Sequence, residues 1–161
     1  MADRAPWSED RARSILSEFQ DMRGALLPML HGLQEEFGCI DDPAIPLLAD
    51  ALNLSQAEVH GVVSFYEDFR TTRPGHHVLK VCRAEACQSM GAEALLAHAK
   101  AHLSVDRGET SADGVFTLET VFCLGNCALS PAVLIDEDLY GRVSPDRLDS
   151  LLADYREGAV A

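Results

Sequence analysis

The segments VCRAEAC (residues 81–87) and VFCLGNC (residues 121–127) each carry two cysteines at the point where a predicted β-strand gives way to a loop. The first pair has the spacing C-x4-C and the second has the spacing C-x3-C. Loops that follow the strands of one sheet can lie side by side at one edge of that sheet. The sequence therefore predicts a single site of four thiols, built from Cys82, Cys87, Cys123 and Cys127.

Around these segments the chain alternates between strand and helix patterns. HHVLKV (76–81) and VFTLETVF (115–122) are typical of strands, and GAEALLAHAKAHL (91–103) consists of good helix formers. AVLIDED and LYGRVS predict two further short strands, and LDSLLADYR predicts a closing helix. The order β-α-β-β-β-α indicates an α+β fold with helices packed on a small sheet, and it is compatible with a thioredoxin-like layout.

The first part of the chain predicts helices only. Ser8 can cap a helix, Gly38 can end one, and Ser55 with Glu58 forms a capping-box pattern. Four helices with short connections indicate a small bundle. Turn-forming residues at 71–75 mark the boundary, so we expect a helical domain over residues 1–74 and a second domain over residues 75–161.

Three chemistries compete for the four clustered cysteines. A thiol–disulfide enzyme would use the spacing C-x-x-C, which neither pair has. Structural zinc takes four thiolates, usually from two C-x-x-C knuckles, so a zinc-stabilised interaction module stays open as an alternative. An iron–sulfur cluster is wider than one ion, and the wider spacings favour it. Cys39 has no cysteine nearby in the sequence and is expected to be a small buried apolar residue.

The two cysteine segments, with ALSPA (128–132) after the second, resemble the thioredoxin-like 2Fe–2S ferredoxin family. This family includes the small iron–sulfur subunit of complex I-type NADH dehydrogenases. LLPMLHGLQEEFGCID (26–41) and GVVSFYEDF (61–69) resemble its N-terminal helical domain. The resemblance implies a helical bundle followed by a thioredoxin-like α/β sandwich domain. It also implies one 2Fe–2S cluster, with the cysteines at positions 82, 87, 123 and 127 as its ligands.

Within that family, VCRAEACQSMG and CLGNCALSPAVLIDEDLYGRV look most similar to the gamma subunit of NAD-dependent formate dehydrogenases. Ser130 stands where complex I members commonly carry alanine. The resemblance implies a one-electron transfer subunit that is not catalytic alone. It would dock on a flavin- and NAD-binding subunit and, through it, reach a molybdenum-containing catalytic subunit. The alternatives are the equivalent subunits of NADH–quinone oxidoreductase and of NAD-reducing hydrogenase.

Charge and hydropathy exclude several other classes of function. The net charge is −13, from 13 Lys and Arg against 26 Asp and Glu, which argues against nucleic acids and anionic membrane surfaces as partners. No apolar run approaches the roughly 18 residues of a membrane span. The start, MADRAPWSEDRARS, lacks the apolar stretch of a secretory signal, so a cytoplasmic location is expected. We find no motif for binding NAD, flavin or molybdenum cofactor.

Some single residues carry weaker expectations. Gly125 would let backbone N–H groups turn towards sulfur, and Arg83 could act on the site through its charge. His98 and His102 stand four residues apart on one helix, which fits either a metal pair or, more commonly, a solvated helix face. The helical spacing of Phe65, Tyr66 and Phe69 predicts that they belong to the core, with exposure of some of them towards a partner as the alternative.

Overall fold

The computed structural model describes residues 5–160, without the side chains of Ala159 and Val160. The chain divides into two compact units, Met1–Arg73 and Pro74–Ala161. The first unit contains helices alone among its described residues, and the second contains a sheet with helices. The predicted α+β fold class is therefore confirmed. The roles predicted for residues 1–74 and 75–161, as docking domain and ferredoxin domain, stay predictions.

The helices of the first unit begin and end where local sequence signals place them. Ser8 caps the first helix by accepting a hydrogen bond from the Arg11 N–H, and Ser55 with Glu58 forms a complete capping box. Gly38 ends the second helix in the left-handed conformation, at φ 85°. The four helices are α1 (Glu9–Glu18), α2 (Leu26–Phe37), α3 (Ala44–Leu52) and α4 (Gln56–Phe65).

The apolar faces of these four helices form one core. Met29, Leu30, Phe37 and Leu48 are among its fully buried side chains. Burial of such side chains is the main stabilising contribution available to a small bundle.

The expectation that three aromatic residues at the end of α4 all join this core is wrong for two of them. Phe69 is buried, whereas Phe65 is 78% exposed and Tyr66 is 43% exposed. The helix ends at Phe65, and Tyr66 has the extended conformation φ −90°, ψ 114°. Tyr66 therefore lies beyond the helical period, while Phe65 follows the buried Val63 by two residues and faces the opposite side of the helix.

The second unit builds a four-stranded sheet with helices packed on it. The chain order of its elements is β1 (His77–Cys82), α5 (Glu85–Ser89), α6 (Ala92–Leu103), β2 (Phe116–Val121), a 3₁₀ turn (Cys127–Leu129), β3 (Val133–Ile135), β4 (Asp138–Tyr140) and α7 (Pro145–Val160). The sequence predicts each strand and both long helices, and it misses the five-residue helix α5.

The strand order in the sheet is β2-β1-β3-β4. β1 and β2 run parallel, with Cys82 opposite Val121, while β3 pairs antiparallel with β1 and with β4. Because β1 and β2 are parallel and in register at their carboxyl ends, the segments that follow them leave the sheet at the same edge. Those are the two cysteine segments.

The core of the second unit lies between the sheet and the helices α6 and α7. Phe116, Leu118, Ile135 and Leu148 are among its fully buried side chains. Across residues 5–160, no helix combines the length and the apolar character that a bilayer span requires.

Candidate functional site

The first cysteine pair lies inside the folded unit. Cys82 is the last residue of β1 and is 1% exposed; Cys87 is 2% exposed. The expectation that the segment after β1 is a loop is wrong at Cys87, which sits in α5. The Gln88 N–H donates to the Ala84 carbonyl and closes a helical turn directly after the strand. That turn carries the thiol of Cys87 back towards Cys82.

The second pair is exposed: Cys123 lies in the loop after β2, and Cys127 begins the 3₁₀ turn. Its sulfurs, on Cys123 and Cys127, are 3.7 Å apart. Gly125, at φ 76°, points its N–H at the Cys123 sulfur at a distance of 3.3 Å. Cys123 itself has φ 100°, a conformation that L residues rarely adopt and that clusters at functional sites. The loop is thus shaped around its sulfurs, as expected for Gly125.

The two pairs meet around the sulfur of Cys82. Burial raises the pKa of this thiol, but hydrogen bonds from the Ala84 N–H, from the Cys87 side chain and from two amides of the other loop outweigh it. The net result is that the pKa of Cys82 falls below its ordinary value. The two amides belong to Leu124 and Cys123. The structure therefore stabilises a thiolate at Cys82 with donors from both segments.

The pKa of Cys127, in the exposed pair, also shows that the two pairs lie close together. Its hydrogen bond with Cys123 and the charge of that neighbour raise the pKa of the Cys127 thiol, and the charges of Cys87 and Cys82 add to the effect. Every other predicted ligand thus acts on Cys127. Four thiols held this close cannot all ionise cheaply unless a positive centre joins them.

Ser130 connects the two pairs and was not predicted to do so. The Ser130 hydroxyl donates to the Cys127 carbonyl at 2.7 Å, and the Cys87 thiol donates to Oγ of Ser130 at 3.6 Å. Ser130 is nearly buried, and its peptide bond to Pro131 is cis. Sequence singled out Ser130 only as a departure from a family pattern. No local spacing signals its contact with Cys87.

Two further residues singled out in the sequence, Arg83 and Cys39, have partners other than the four cysteines. Arg83 forms an ion pair with Glu93 at 2.9 Å, so its charge is already partly balanced. Cys39 is buried in the helical unit, where burial, followed by the charge of Asp41, raises the pKa of its thiol. A raised pKa is typical of a structural, unreactive cysteine.

The donor set fits a metal–sulfur centre. Two thiolates on one tetrahedral metal, with metal–sulfur bonds of about 2.3 Å, lie about 3.8 Å apart. The 3.7 Å separation in the exposed pair matches that value. Amide N–H groups already point at Cys82 and Cys123, as sulfur ligands of a cluster require. The sulfur separation within this one pair does not by itself distinguish iron from zinc.

The comparisons with known proteins identify several curated relatives. A subunit of the NADH-quinone oxidoreductase of Pseudomonas aeruginosa is 36% identical over 156 residues, which are 95% of this chain and 94% of the relative. The HndA subunit of the NADP-reducing hydrogenase of Solidesulfovibrio fructosivorans is 36% identical over 141 residues, covering 88% of this chain and 82% of the relative. Both relatives are subunits of oxidoreductases.

Among solved structures, an NAD+-reducing [NiFe]-hydrogenase in the air-oxidised state superposes with a TM-score of 0.71 at 25% identity. The match covers 83% of this chain but only 23% of the hydrogenase chain, so it concerns one part of a longer polypeptide.

The family model for the thioredoxin-like [2Fe-2S] ferredoxin matches residues 12–156, and thus spans both units and all four clustered cysteines. The resemblance read from the sequence is confirmed at the level of the family. This chain belongs to the thioredoxin-like [2Fe-2S] ferredoxin family, whose cofactor is one 2Fe–2S cluster.

Proposed function

We propose that Cys82, Cys87, Cys123 and Cys127 hold one 2Fe–2S cluster, and that the chain transfers single electrons as a non-catalytic subunit of an NAD-linked oxidoreductase. The observation that carries this proposal is the meeting of the two pairs, with amides of the exposed loop donating to the buried Cys82 sulfur. A bound 2Fe–2S cluster supplies reversible one-electron chemistry.

The buried pair, the backbone N–H groups and the exposed pair have different roles in this proposal. The buried pair fixes one side of the site to the core through β1 and α5, which limits its movement. The N–H groups of Ala84, Leu124 and Gly125 stabilise negative charge on sulfur, which makes the bound centre easier to reduce. The exposed pair leaves the opposite side open, so an electron can enter or leave there.

The first test is iron and sulfide analysis of the anaerobically purified chain, with EPR spectra before and after dithionite. About two irons and two sulfides per chain, the content of one 2Fe–2S cluster, with no signal when oxidised and an S = 1/2 signal when reduced, would support the proposal. A colourless protein with stoichiometric zinc and no signal would overturn it, and the chain would then be a zinc-stabilised interaction module.

The relatives motivate a flavin- and NAD-binding partner. They carry the names of subunits of NADH-quinone oxidoreductase and of a hydrogenase. More narrowly, we infer that this chain is the gamma subunit of an NAD-dependent formate dehydrogenase with a molybdenum-containing catalytic subunit. The support for that step is the sequence resemblance over residues 81–91 and 123–143, together with Ser130 in contact with the site.

Metal analysis of the native complex distinguishes these partners. The complex should be purified through an affinity tag on this chain and assayed for metals and for NAD reduction. Molybdenum or tungsten with formate-dependent NAD reduction would support the formate dehydrogenase. Nickel with hydrogen-dependent reduction would reassign the chain to a hydrogenase, and NADH–quinone activity with neither metal would reassign it to that oxidoreductase.

The predicted cytoplasmic location is tested separately, by cell fractionation of the same source.

The helical unit is proposed as a docking domain. Phe65 and Tyr66 stack edge to face at 5.1 Å and remain exposed, and aromatic side chains are enriched at protein interfaces. Replacing both with serine should weaken co-purification of the partner at least about tenfold, as expected for interface hot spots. The matched control is Met22→Ser, which alters another exposed apolar side chain of the same unit. Undiminished co-purification of the double variant would reject the docking role.

A further inference from the structure

A second group of metal-ligating side chains lies between α6 and α7. His98 and His102 are four residues apart on α6, and Asp149 belongs to α7. Nε2 of His98 lies 2.7 Å from Oδ1 of Asp149, and Nδ1 of His102 lies 3.1 Å from the same oxygen. Two imidazole rings from one helix thus converge on one carboxylate of another.

We propose that His98, His102 and Asp149 bind a divalent transition metal ion, with Zn²⁺ as the ion that fits best. Two histidines at i and i+4 on one helix face, joined by a third ligand from elsewhere, form a recurrent zinc arrangement. One potential ligand atom from each of the three residues lies within 4.8 Å of the other two. Ligands of a tetrahedral zinc with bonds of about 2.1 Å lie about 3.4 Å apart, so binding needs side-chain shifts of up to about 1 Å, within the reach of rotamer adjustment.

Exposure favours binding at this position. The three side chains are 34%, 32% and 39% exposed, so an ion can enter from solvent and keep a water molecule as its fourth ligand. The same contacts also describe a state without metal, in which N–H groups of the two imidazoles donate to the one carboxylate oxygen. Zinc binding differs from that state because each of the three residues must then offer a lone pair to the same ion.

The consequence of binding would be a cross-link between α6 and the closing helix α7. Leu95, Leu96 and Ala99 of α6 and Leu148 and Leu152 of α7 belong to the same core. An ion that binds only the folded unit raises its stability by mass action. The site is composed of nitrogen and oxygen ligands, and it is therefore chemically distinct from the four thiols.

The test is zinc titration of the cluster-loaded chain by calorimetry, because bound iron and sulfide then occupy the cysteines. We expect one zinc per chain, and at least about tenfold weaker binding for His102→Gln and for Asp149→Asn, since even outer-shell substitutions at metal sites cost that much. His60→Gln, an exposed histidine on α4, is the matched control and should bind zinc unchanged. Melting curves without zinc show whether each variant is folded.

X-ray absorption at the zinc edge provides the second measurement. Nitrogen and oxygen neighbours near 2.0–2.1 Å, without sulfur at about 2.3 Å, would support the proposed ligands. Sulfur neighbours would overturn the proposal, because they would place the zinc on cysteines. It is likewise overturned if the chain takes up no zinc, or if both variants bind as tightly as the parent. None of these outcomes depends on whether the cluster transfers electrons.

Discussion

The two cysteine pairs are held in opposite ways. Cys82 and Cys87 are buried on a strand and a helix, whereas Cys123 and Cys127 are exposed on a loop with two left-handed residues, Cys123 and Gly125. The first pair draws its position from the core of the unit. The second depends on backbone conformations that are costly for most residues. One side of the site is therefore held by the core, and the other lies at the surface.

The largest expected difference between the two pairs is in the iron content and stability of variants that lack a single thiol. Cys82→Ala and Cys127→Ala should each lose at least about tenfold in bound iron, because the proposed cluster loses a ligand. Only Cys82→Ala should also lower the free energy of unfolding of the cluster-free chain, by about 1 kcal/mol, since it leaves a buried cavity. Iron analysis and urea titration measure the two effects.

The control for that comparison is Cys39→Ala, which lies outside the site and should keep its iron. Full iron content in either Cys82→Ala or Cys127→Ala would show that the ligand set is wrong.

The next largest difference is expected in the alkylation rates of the two cysteine pairs in the cluster-free chain. Iodoacetamide is expected to modify Cys123 and Cys127 at least about tenfold faster than Cys82 and Cys87, because buried groups react only after local opening. The pKa of the Cys127 thiol is raised, so less thiolate is present at neutral pH. Its rate should accordingly keep climbing above about pH 8.5, the ordinary thiol pKa.

Peptide mass spectrometry over time and pH measures these rates, and labelling in denaturant should remove the difference between pairs. Equal rates in the folded chain would mean that the buried pair is not held as described.

A glycine exchange tests the loop of the exposed pair. Gly125→Ala should cost about 1–2 kcal/mol of stability, because φ 76° strains any side chain while open space surrounds the position. It should also make the reduction potential more negative, since the Gly125 N–H to Cys123 sulfur bond weakens.

Gly108→Ala is the matched control for the loop, at φ 85° with equally open surroundings. It should show a similar loss of stability in thermal unfolding and no change of potential in redox titration. A potential shift of the same size in both variants would remove the special role of Gly125.

The smallest expected effect concerns the residue that joins the pairs. Ser130→Ala should cost about 0.5–1.5 kcal/mol, because the Cys127 carbonyl loses a hydrogen bond at a nearly buried position. Ser89→Ala removes a comparable bond, to the Ala86 carbonyl, at an exposed position and should stay within about 0.5 kcal/mol of the parent. Denaturant unfolding of both variants gives the comparison, and equal losses would argue against a linking role for Ser130.

Sequence was informative wherever structure depends on local signals. Ser8, Gly38 and the Ser55–Glu58 pair mark helix ends correctly, because caps involve neighbours within a few residues. The meeting of the cysteine segments could also be predicted, since it needs only that β1 and β2 share an edge. The cluster ligands themselves stay a prediction.

Other features depend on contacts that no local pattern contains. Helix α5 is only five residues long, too short for a hydrophobic period, so Cys87 was expected in a loop. The contact between Cys87 and Ser130 joins residues 43 positions apart. The exposure of Tyr66 follows from where α4 ends, which periodicity alone does not give.

The arrangement of the sheet also bears on how this protein meets its neighbours. The outer side of β2 is paired with its own preceding loop, through Gly108 N–H to Leu118 O, Leu118 N–H to Glu109 O and Ser111 N–H to Phe116 O. The opposite border, β4, is three residues long. Open strand borders invite β-augmentation and aggregation, and covering or shortening them prevents it. We therefore expect this protein to assemble with partners through side-chain contacts, and not by pairing a partner's strand with an edge of its sheet.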